Sequence, residues 1–213
     1  MANNTIARLV GHTFGDGSIH NKKQYFIYTN SDEGLQQNVK KLVKSSFGVV
    51  TLNQGTAISG TPRYQYSNKV GKALVSFGAP IGSKVLNFTQ IPKWIKNGSR
   101  SSKATFLSAL YDDEGYFRDS RNCRQIVFKT AKVYHLRTNL IAYLEDVRKL
   151  LYEFGIESSE IKFDQIKKRE DGKKMISLRF WITGRNNFAL FRKSIPLFHK
   201  EKRRKLLKMV RAG

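Results

Sequence analysis

One cysteine, Cys123, stands alone in 213 residues. No intramolecular disulfide can form, and a reducing compartment is the expected setting. The thiol reads as a bystander rather than a nucleophile. Histidine is nearly as scarce: His12, His20, His135 and His199, taken with Cys123, show no zinc-ligand spacing. No apolar run approaches the roughly 20 residues that cross a bilayer, and the N-terminus has no signal-peptide pattern. A protein kept inside the cell is expected, in a prokaryotic cytoplasm or an organelle. Acidic residues are also few, sixteen against thirty-nine Lys and Arg, for a net charge of +23.

What is present begins with that charge. Thirteen basic and three acidic residues fall in 1–100, twenty-six and thirteen in 101–213, so both parts are basic and neither carries a tail. Charge spread in this way suits a long polyanion contacted along the whole molecule, and nucleic acid is favoured over a membrane surface. Apolar residues make up 40% and aromatics 12%, enough for a packed core.

The chain repeats itself once. Leu9-Val10-Gly11-His12-Thr13-Phe14-Gly15-Asp16-Gly17 aligns with Leu107-Ser108-Ala109-Leu110-Tyr111-Asp112-Asp113-Glu114-Gly115, and each ends in an acid followed by glycine. Val39-Lys40-Lys41-Leu42-Val43 with Phe47-Gly48-Val49 resembles Val147-Arg148-Lys149-Leu150-Leu151 with Phe154-Gly155-Ile156. Ala73-Leu74, Pro80 and Lys84 match Ala189-Leu190, Pro196 and Lys200 at identical internal spacing. Three matches in one order point to a duplication.

Local patterns agree. Residues 4–15 and 102–113 read as helices ended by Gly17 and Gly115. A strand follows at 25–30 and 124–130, then an amphipathic helix at 32–47 and 133–154. Strands are expected at 48–53, 62–68, 160–166 and 175–183, with hairpin loops at 53–61 and 168–174. Short helices close the halves at 69–77 and 185–193, and a basic helix ends the chain at 199–211. The stretch 97–102, Asn-Gly-Ser-Arg-Ser-Ser, reads as a linker between halves 1–96 and 103–213. Each half is an α+β unit of the form αββαββα.

Asp16 and Glu114 sit where their helices run out, at the negative pole of the helix dipole. One Asp-Gly would be an ordinary turn. Two acids at matched positions make sense if a divalent cation neutralises them. Gly11 and Ala109, with Gly15 on the first helix, would let the two helices pack closely and bring their acidic ends together.

These two segments resemble the LAGLIDADG motifs of homing endonucleases, and the chain is similar to the two-motif, single-chain members of that family. Gly78-Ala79-Pro80-Ile81-Gly82-Ser83-Lys84 and Ile91-Pro92-Lys93-Trp94-Ile95 extend the resemblance over essentially the whole chain. The resemblance implies two halves packed through their motif helices over a saddle of two four-stranded antiparallel sheets. It also implies an enzyme that binds a long duplex DNA site as a monomer. Such an enzyme cuts both strands across the minor groove with Mg2+ and leaves short 3′ overhangs; Mn2+ or Ca2+ would substitute in binding. Asp16 and Glu114 map onto the family's metal-binding acids, with Gly15 and Asp113 beside them. Asp113, where a small residue is usual, is expected to turn away from the metals, and His12, Thr13 and Phe14 to face their own half's core. Two divalent metals near paired acids can supply the nucleophilic water and neutralise charge at phosphorus. Lys84 and Lys200 are the repeat-supported candidates to assist that water, and Asn30 and Thr130 to orient it.

A sheet lying in a major groove should be apolar inward and polar outward. The outward set in the second half is Gln125, Lys129, Ser177, Arg179, Trp181 and Thr183. In the first half it is Tyr25, Ile27, Thr29, Arg63 and Gln65. Lys167, Lys168, Arg169, Lys173 and Lys174 crowd a loop suited to phosphates. Two rival readings share the scaffold: an RNA maturase assisting intron splicing, and a DNA-binding regulator without catalysis. Intact acids in both motifs argue against the regulator. An intein-embedded endonuclease is disfavoured because the chain neither opens with Cys or Ser nor ends in His-Asn.

Overall fold

The structure is a computed structural model and describes residues 2–48, 51–120 and 123–211. The first half runs α1 (Ala2–Phe14), β1 (Gly17–Ile19), β2 (Phe26–Thr29), α2 (Glu33–Phe47), β3 (Thr51–Thr56), β4 (Pro62–Tyr66) and α3 (Asn68–Ser76). A short α4 (Lys93–Lys96) leads to the second half: α5 (Arg100–Asp113), β5 (Gly115–Ser120), β6 (Cys123–Val133), α6 (Arg137–Tyr152), β7 (Lys162–Lys168), β8 (Lys174–Ile182), α7 (Arg185–Ser194) and α8 (Lys200–Arg211). Each half forms one antiparallel sheet, ordered β1-β2-β4-β3 and β5-β6-β8-β7. The order is the same in both, as a duplication requires.

The helix ends follow from local chemistry. Asp32 caps α2 by accepting from the Leu35 amide at 2.8 Å. The helix stops where Gly48 takes φ 62°, a left-handed conformation that suits glycine. Ser99 caps α5, so Arg100, Ser101 and Ser102 of the expected linker form the first turn of the motif helix. The sequence pattern does not single out β1 and β5 as separate strands. They start on the glycine that ends each motif helix, and their compositions, Gly-Ser-Ile and Gly-Tyr-Phe-Arg-Asp-Ser, carry too little alternation to announce a strand. β3 extends through Thr56, three residues beyond its expected end, leaving 57–61 as the turn; Val49 and Val50 of the expected strand lie outside the described residues. Val133 stays in β6, and a 3-10 turn at 134–136 delays α6 to Arg137.

The two motif helices lie against each other at the centre. A Cβ built on Gly11 would stand 2.7 Å from Ala109 Cβ, and one on Gly15 only 2.4 Å from Asp113 Cβ. Real atoms cannot approach so closely, so the glycines set the helix separation. Their ends, and with them the two acids, are thereby held at the junction of the halves.

Candidate active site and nucleic-acid interface

Helix α1 delivers Asp16 and α5 delivers Glu114, both half-buried, to that junction. Burial pushes the Asp16 carboxyl up to about 7, and the charges of Asp113 and Glu114 add to the effect against Lys84 and Lys202. Glu114 is also raised, chiefly by burial, with Lys84 opposing the shift. Two amines come to the helix ends. Lys84 Nζ donates to the carbonyls of Gly15 and, at 2.9 Å, Gly17. Lys202 Nζ donates to the carbonyls of Tyr111 at 3.1 Å, Asp113 at 3.2 Å and Asp112. Cations belong at a helix C-terminus, where unpaired carbonyls gather. Burial lowers the pKa of both lysines while the carboxylates oppose it.

Lys202, and not Lys200, is therefore the counterpart of Lys84. Spacing from the matched prolines points to Lys200, but that residue opens α8 and is exposed. The segment after Pro80 has no such helix, so the two halves fall out of phase by two residues at this point.

Asp113 does not join the pair of acids. Its buried carboxylate reaches across the junction, where it lies 2.9 Å from His12 Nδ1 and accepts from the Tyr28 hydroxyl at 2.8 Å and the Asp16 amide at 3.0 Å. Burial would raise its pKa, but these three partners outweigh burial and hold it below the usual carboxylate range. His12 thus reaches across to the second half, while its ring also packs edge-on against Tyr28 of its own half. Phe14 faces the second half, packing on Phe106 and Tyr143. Thr13 stays within its own helix, its hydroxyl donating to the Val10 carbonyl at 2.6 Å. Asp112, the third acid of this run, is also buried: it pairs with Arg8 at 2.7 Å and accepts from the Phe198 and His199 amides, which pins the start of α8.

Two clefts open at the junction, the first mostly polar and the second with apolar walls from Phe14, Val85 and Tyr143. One, of about 330 Å³, brings together Asp16, Asn30, Asp113, His199 and Lys202. The other, of about 440 Å³, brings together Glu114, Lys84, Lys129, Thr130 and Tyr116. Each cleft therefore pairs an acid from one half with a lysine from the other. Asn30 Nδ2 donates to Asp16 Oδ2 at 2.7 Å, and its own Oδ1 accepts from the Asp32 amide. Thr130 sits opposite Leu178, half-buried, at the edge of the second cleft.

Sequence reasoning missed the support behind Lys84. Lys132, buried in β6, donates at 2.6 Å to the carbonyls of both Lys84 and Asn87, and Asn139 brackets Thr89 through its amide and carbonyl. The second half thus grips the loop that carries the first half's lysine. Burial, with the Lys84 charge second, brings Lys132 down to about 8. A lysine in a strand of alternating polarity gives no sign that it turns inward.

Among the described residues, no three of His, Cys, Asp and Glu gather as a metal-binding group. The donors left at the junction are two carboxylates, both hard oxygen ligands, whose pKa stays raised despite the nearby Lys84 and Lys202. That set fits a hard divalent cation shared with water and substrate. Asp16 and Glu114 would hold it. The Gly15 and Asp113 carbonyls already accept from lysines, and the Asp113 carboxylate is fully engaged elsewhere.

The outward sheet faces follow from the pairing register. Ile27 pairs with Gln65 and Thr29 with Arg63 on one sheet; Val127 pairs with Trp181, Lys129 with Arg179 and Ala131 with Ser177 on the other. Gln125 shares that second face opposite Arg118. Tyr25 lies just before β2 and Thr183 just after β8, so both flank the sheets rather than belong to them. Asp164 in β7 stands between the two central cations, 2.6 Å from Lys129 and 3.4 Å from Arg179. The basic loop is shorter than expected: Lys167 and Lys168 end β7 and Lys174 begins β8, which leaves Arg169 and Lys173 in the turn. Among the described residues, no helix is long and apolar enough to cross a membrane.

A LAGLIDADG-like domain is recognised over residues 101–196. Curated relatives include the replication factor C small subunit of Methanocaldococcus jannaschii, 30% identical over 166 residues, and RNA polymerase subunit Rpo1N of the same organism, 30% identical over 190. The tRNA-splicing ligase RtcB of Methanopyrus kandleri is 28% identical over 208. These matches cover 72%, 79% and 88% of this chain but only 9%, 14% and 20% of the relatives. A structure of I-DmoI in complex with DNA and Mn superposes with a TM-score of 0.60 at 15% identity, over 92% of this chain and 98% of that one. The N-terminal LAGLIDADG domain of DUF199/WhiA gives 0.58 at 11% identity, over 92% and 83%. With both acidic helix ends, both four-stranded sheets and these likenesses in hand, the chain carries a LAGLIDADG-like domain in its second half and has the LAGLIDADG fold in both halves.

Proposed function

We propose that the chain is a site-specific, divalent-metal-dependent DNA endonuclease of the homing type, which binds a long duplex target as a monomer and hydrolyses both strands. The observation that carries this reading is the pair of half-buried acids, Asp16 and Glu114, each at a helix end and each in a cleft with a lysine from the opposite half. Two acids with two lysines match two scissile phosphates. The relatives support an activity of the segment's own. A replication factor, a polymerase subunit and an RNA ligase share a stretch like this one as a minor part of their length, and that common stretch is not what makes each of them different. I-DmoI was solved with DNA and Mn, which favours a divalent metal and duplex DNA here too.

A divalent cation held by Asp16 and Glu114 would activate water and neutralise charge at phosphorus. The chain's own groups do the rest. Lys84 and Lys202 supply positive charge beside the acids, Asn30 orients the Asp16 carboxylate, and the sheets lay Ile27, Thr29, Arg63, Gln65, Lys129, Ser177, Arg179 and Trp181 along the groove. Lys167, Lys168, Arg169, Lys173 and Lys174 hold phosphates at one end.

The test incubates the protein with Mg2+ and a randomised duplex library, then sequences the cut ends. Double-strand breaks with short 3′ overhangs at one recurrent site are expected, and Asp16→Asn or Glu114→Gln should abolish them while binding in Ca2+ persists. Sedimentation of the complex should give one protein per site. Wild-type rates from either variant would remove the active-site assignment, and two proteins per site would remove the monomer.

A further inference from the structure

The two clefts differ in one chemical respect that the duplication does not account for. The Asp16 cleft is lined by an imidazole, His199, whereas no histidine lines the Glu114 cleft. In the matched stretch of the first half, Pro80 to Lys84, there is no histidine either. The backbone of His199 is also firmly held. Its amide donates at 2.9 Å to Asp112, which is itself locked to Arg8, and its carbonyl accepts from Arg203 at 3.0 Å.

The ring orientation is informative. Nδ1 is buried without a hydrogen-bond partner and lies 3.5 Å from Asp32 Oδ2. That is too long for a hydrogen bond, yet such contacts in unliganded sites commonly tighten once substrate is bound. Asp32 is fixed by its other oxygen, which caps α2 through the Leu35 amide. A proton on Nδ1, held toward Asp32, would leave the lone pair on Nε2, the nitrogen available to the cleft that His199 lines. A carboxylate behind an imidazole sets its tautomer and orientation.

Resting on the endonuclease reading, we infer that His199 is a further catalytic residue, one that serves only the strand bound in the Asp16 cleft. There its Nε2 takes the proton from the attacking water. The water oxygen bonds to phosphorus, the bond from phosphorus to the leaving sugar oxygen breaks, and that oxygen takes a proton from solvent. The other strand is cut in a cleft that has lysines but no imidazole. The two nicks are therefore chemically unequal, and the strand in the Asp16 cleft depends on a group the other does not need.

The experiment uses the full chain, Mg2+ and the duplex recovered from the library, labelled on either strand, under single-turnover conditions. His199→Gln keeps a hydrogen-bonding side chain but cannot accept the proton. It should slow one strand by on the order of 100-fold, as loss of a general base does, with the other strand and the affinity in Ca2+ unchanged. Asp32→Asn, which retains a capping side chain, should slow the same strand by a smaller factor. Equal slowing of both strands, no slowing, or a loss of affinity that accounts for the rate would overturn the inference while leaving the endonuclease reading intact. A wild-type chain that cuts neither strand would overturn both.

Discussion

Replacing Asp16 by asparagine should make the metal-free protein more stable, although the residue sits at the heart of the site. Burial and the charges of Asp113 and Glu114 lift its pKa from 3.8 to about 7. A carboxyl whose pKa is higher folded than unfolded stabilises the fold only while it stays protonated. That contribution is fully present below the unfolded value and is lost as pH rises through about 7. A shift of about three units at about 1.4 kcal/mol each sets an upper bound of about 4 kcal/mol at pH 8. Partial exposure and relaxation of the site reduce this to about 1–3 kcal/mol. In a chain of this length each kcal/mol moves Tm by about 2–4 °C. Thermal unfolding in chelator should therefore find Asp16→Asn several degrees above wild type at pH 8, with the gap nearly closed at pH 4. Adding Mg2+ should raise wild type more than the variant. A variant that melts at or below wild type at pH 8, or a gap that persists unchanged at pH 4, would refute the electrostatic reasoning.

Gly15→Ala places a methyl group against Asp113 Cβ, and the overpacking should cost about 1–3 kcal/mol in chemical denaturation. Adding Asp113→Ala should recover part of that loss, and failure to do so would mean the strain lies elsewhere. Arg179→Ala should weaken binding to the preferred site by about 1–3 kcal/mol and relax preference at one or two base pairs. The joint replacement of Lys173 and Lys174 by alanine should instead weaken all sequences alike and flatten the salt dependence by about one unit for each phosphate that is no longer neutralised. Equal weakening on every sequence for Arg179→Ala would move that face of β8 off the DNA.

Much of the architecture can be read from the chain because both halves carry the same pattern. Asp16-Gly17 and Glu114-Gly115 mark the helix ends, and alternation in 175–183 separates buried Ile176, Leu178, Phe180 and Ile182 from half-buried Arg179 and Trp181, although Ser177 on the latter face is itself buried. The parts that cannot be read depend on distance in space rather than on spacing. Proline spacing points to Lys200 instead of Lys202 because it ignores the helix that intervenes in only one half. His12 and Phe14 look like core residues of their own helix, and nothing local reveals that their partners, Asp113 and Phe106, lie about a hundred positions away. Lys132 is indistinguishable in sequence from the surface lysines around it. Asp164 resembles any strand carboxylate until the register sets it between Lys129 and Arg179.

The Asp113–Gly15 contact also decides which halves can associate. Gly15 and Asp113 occupy equivalent places in the duplication, yet each meets the other across the junction. Were the second half expressed alone, a symmetric pairing would set Asp113 against Asp113, two buried carboxylates where no glycine makes room. Were the first half alone, Gly15 would meet Gly15, and His12 and Tyr28 would lose the carboxylate they share. Coexpressed as separate chains, the halves should sort into mixed pairs. The two halves are thus complementary to each other but not to themselves, and neither can stand in for the other.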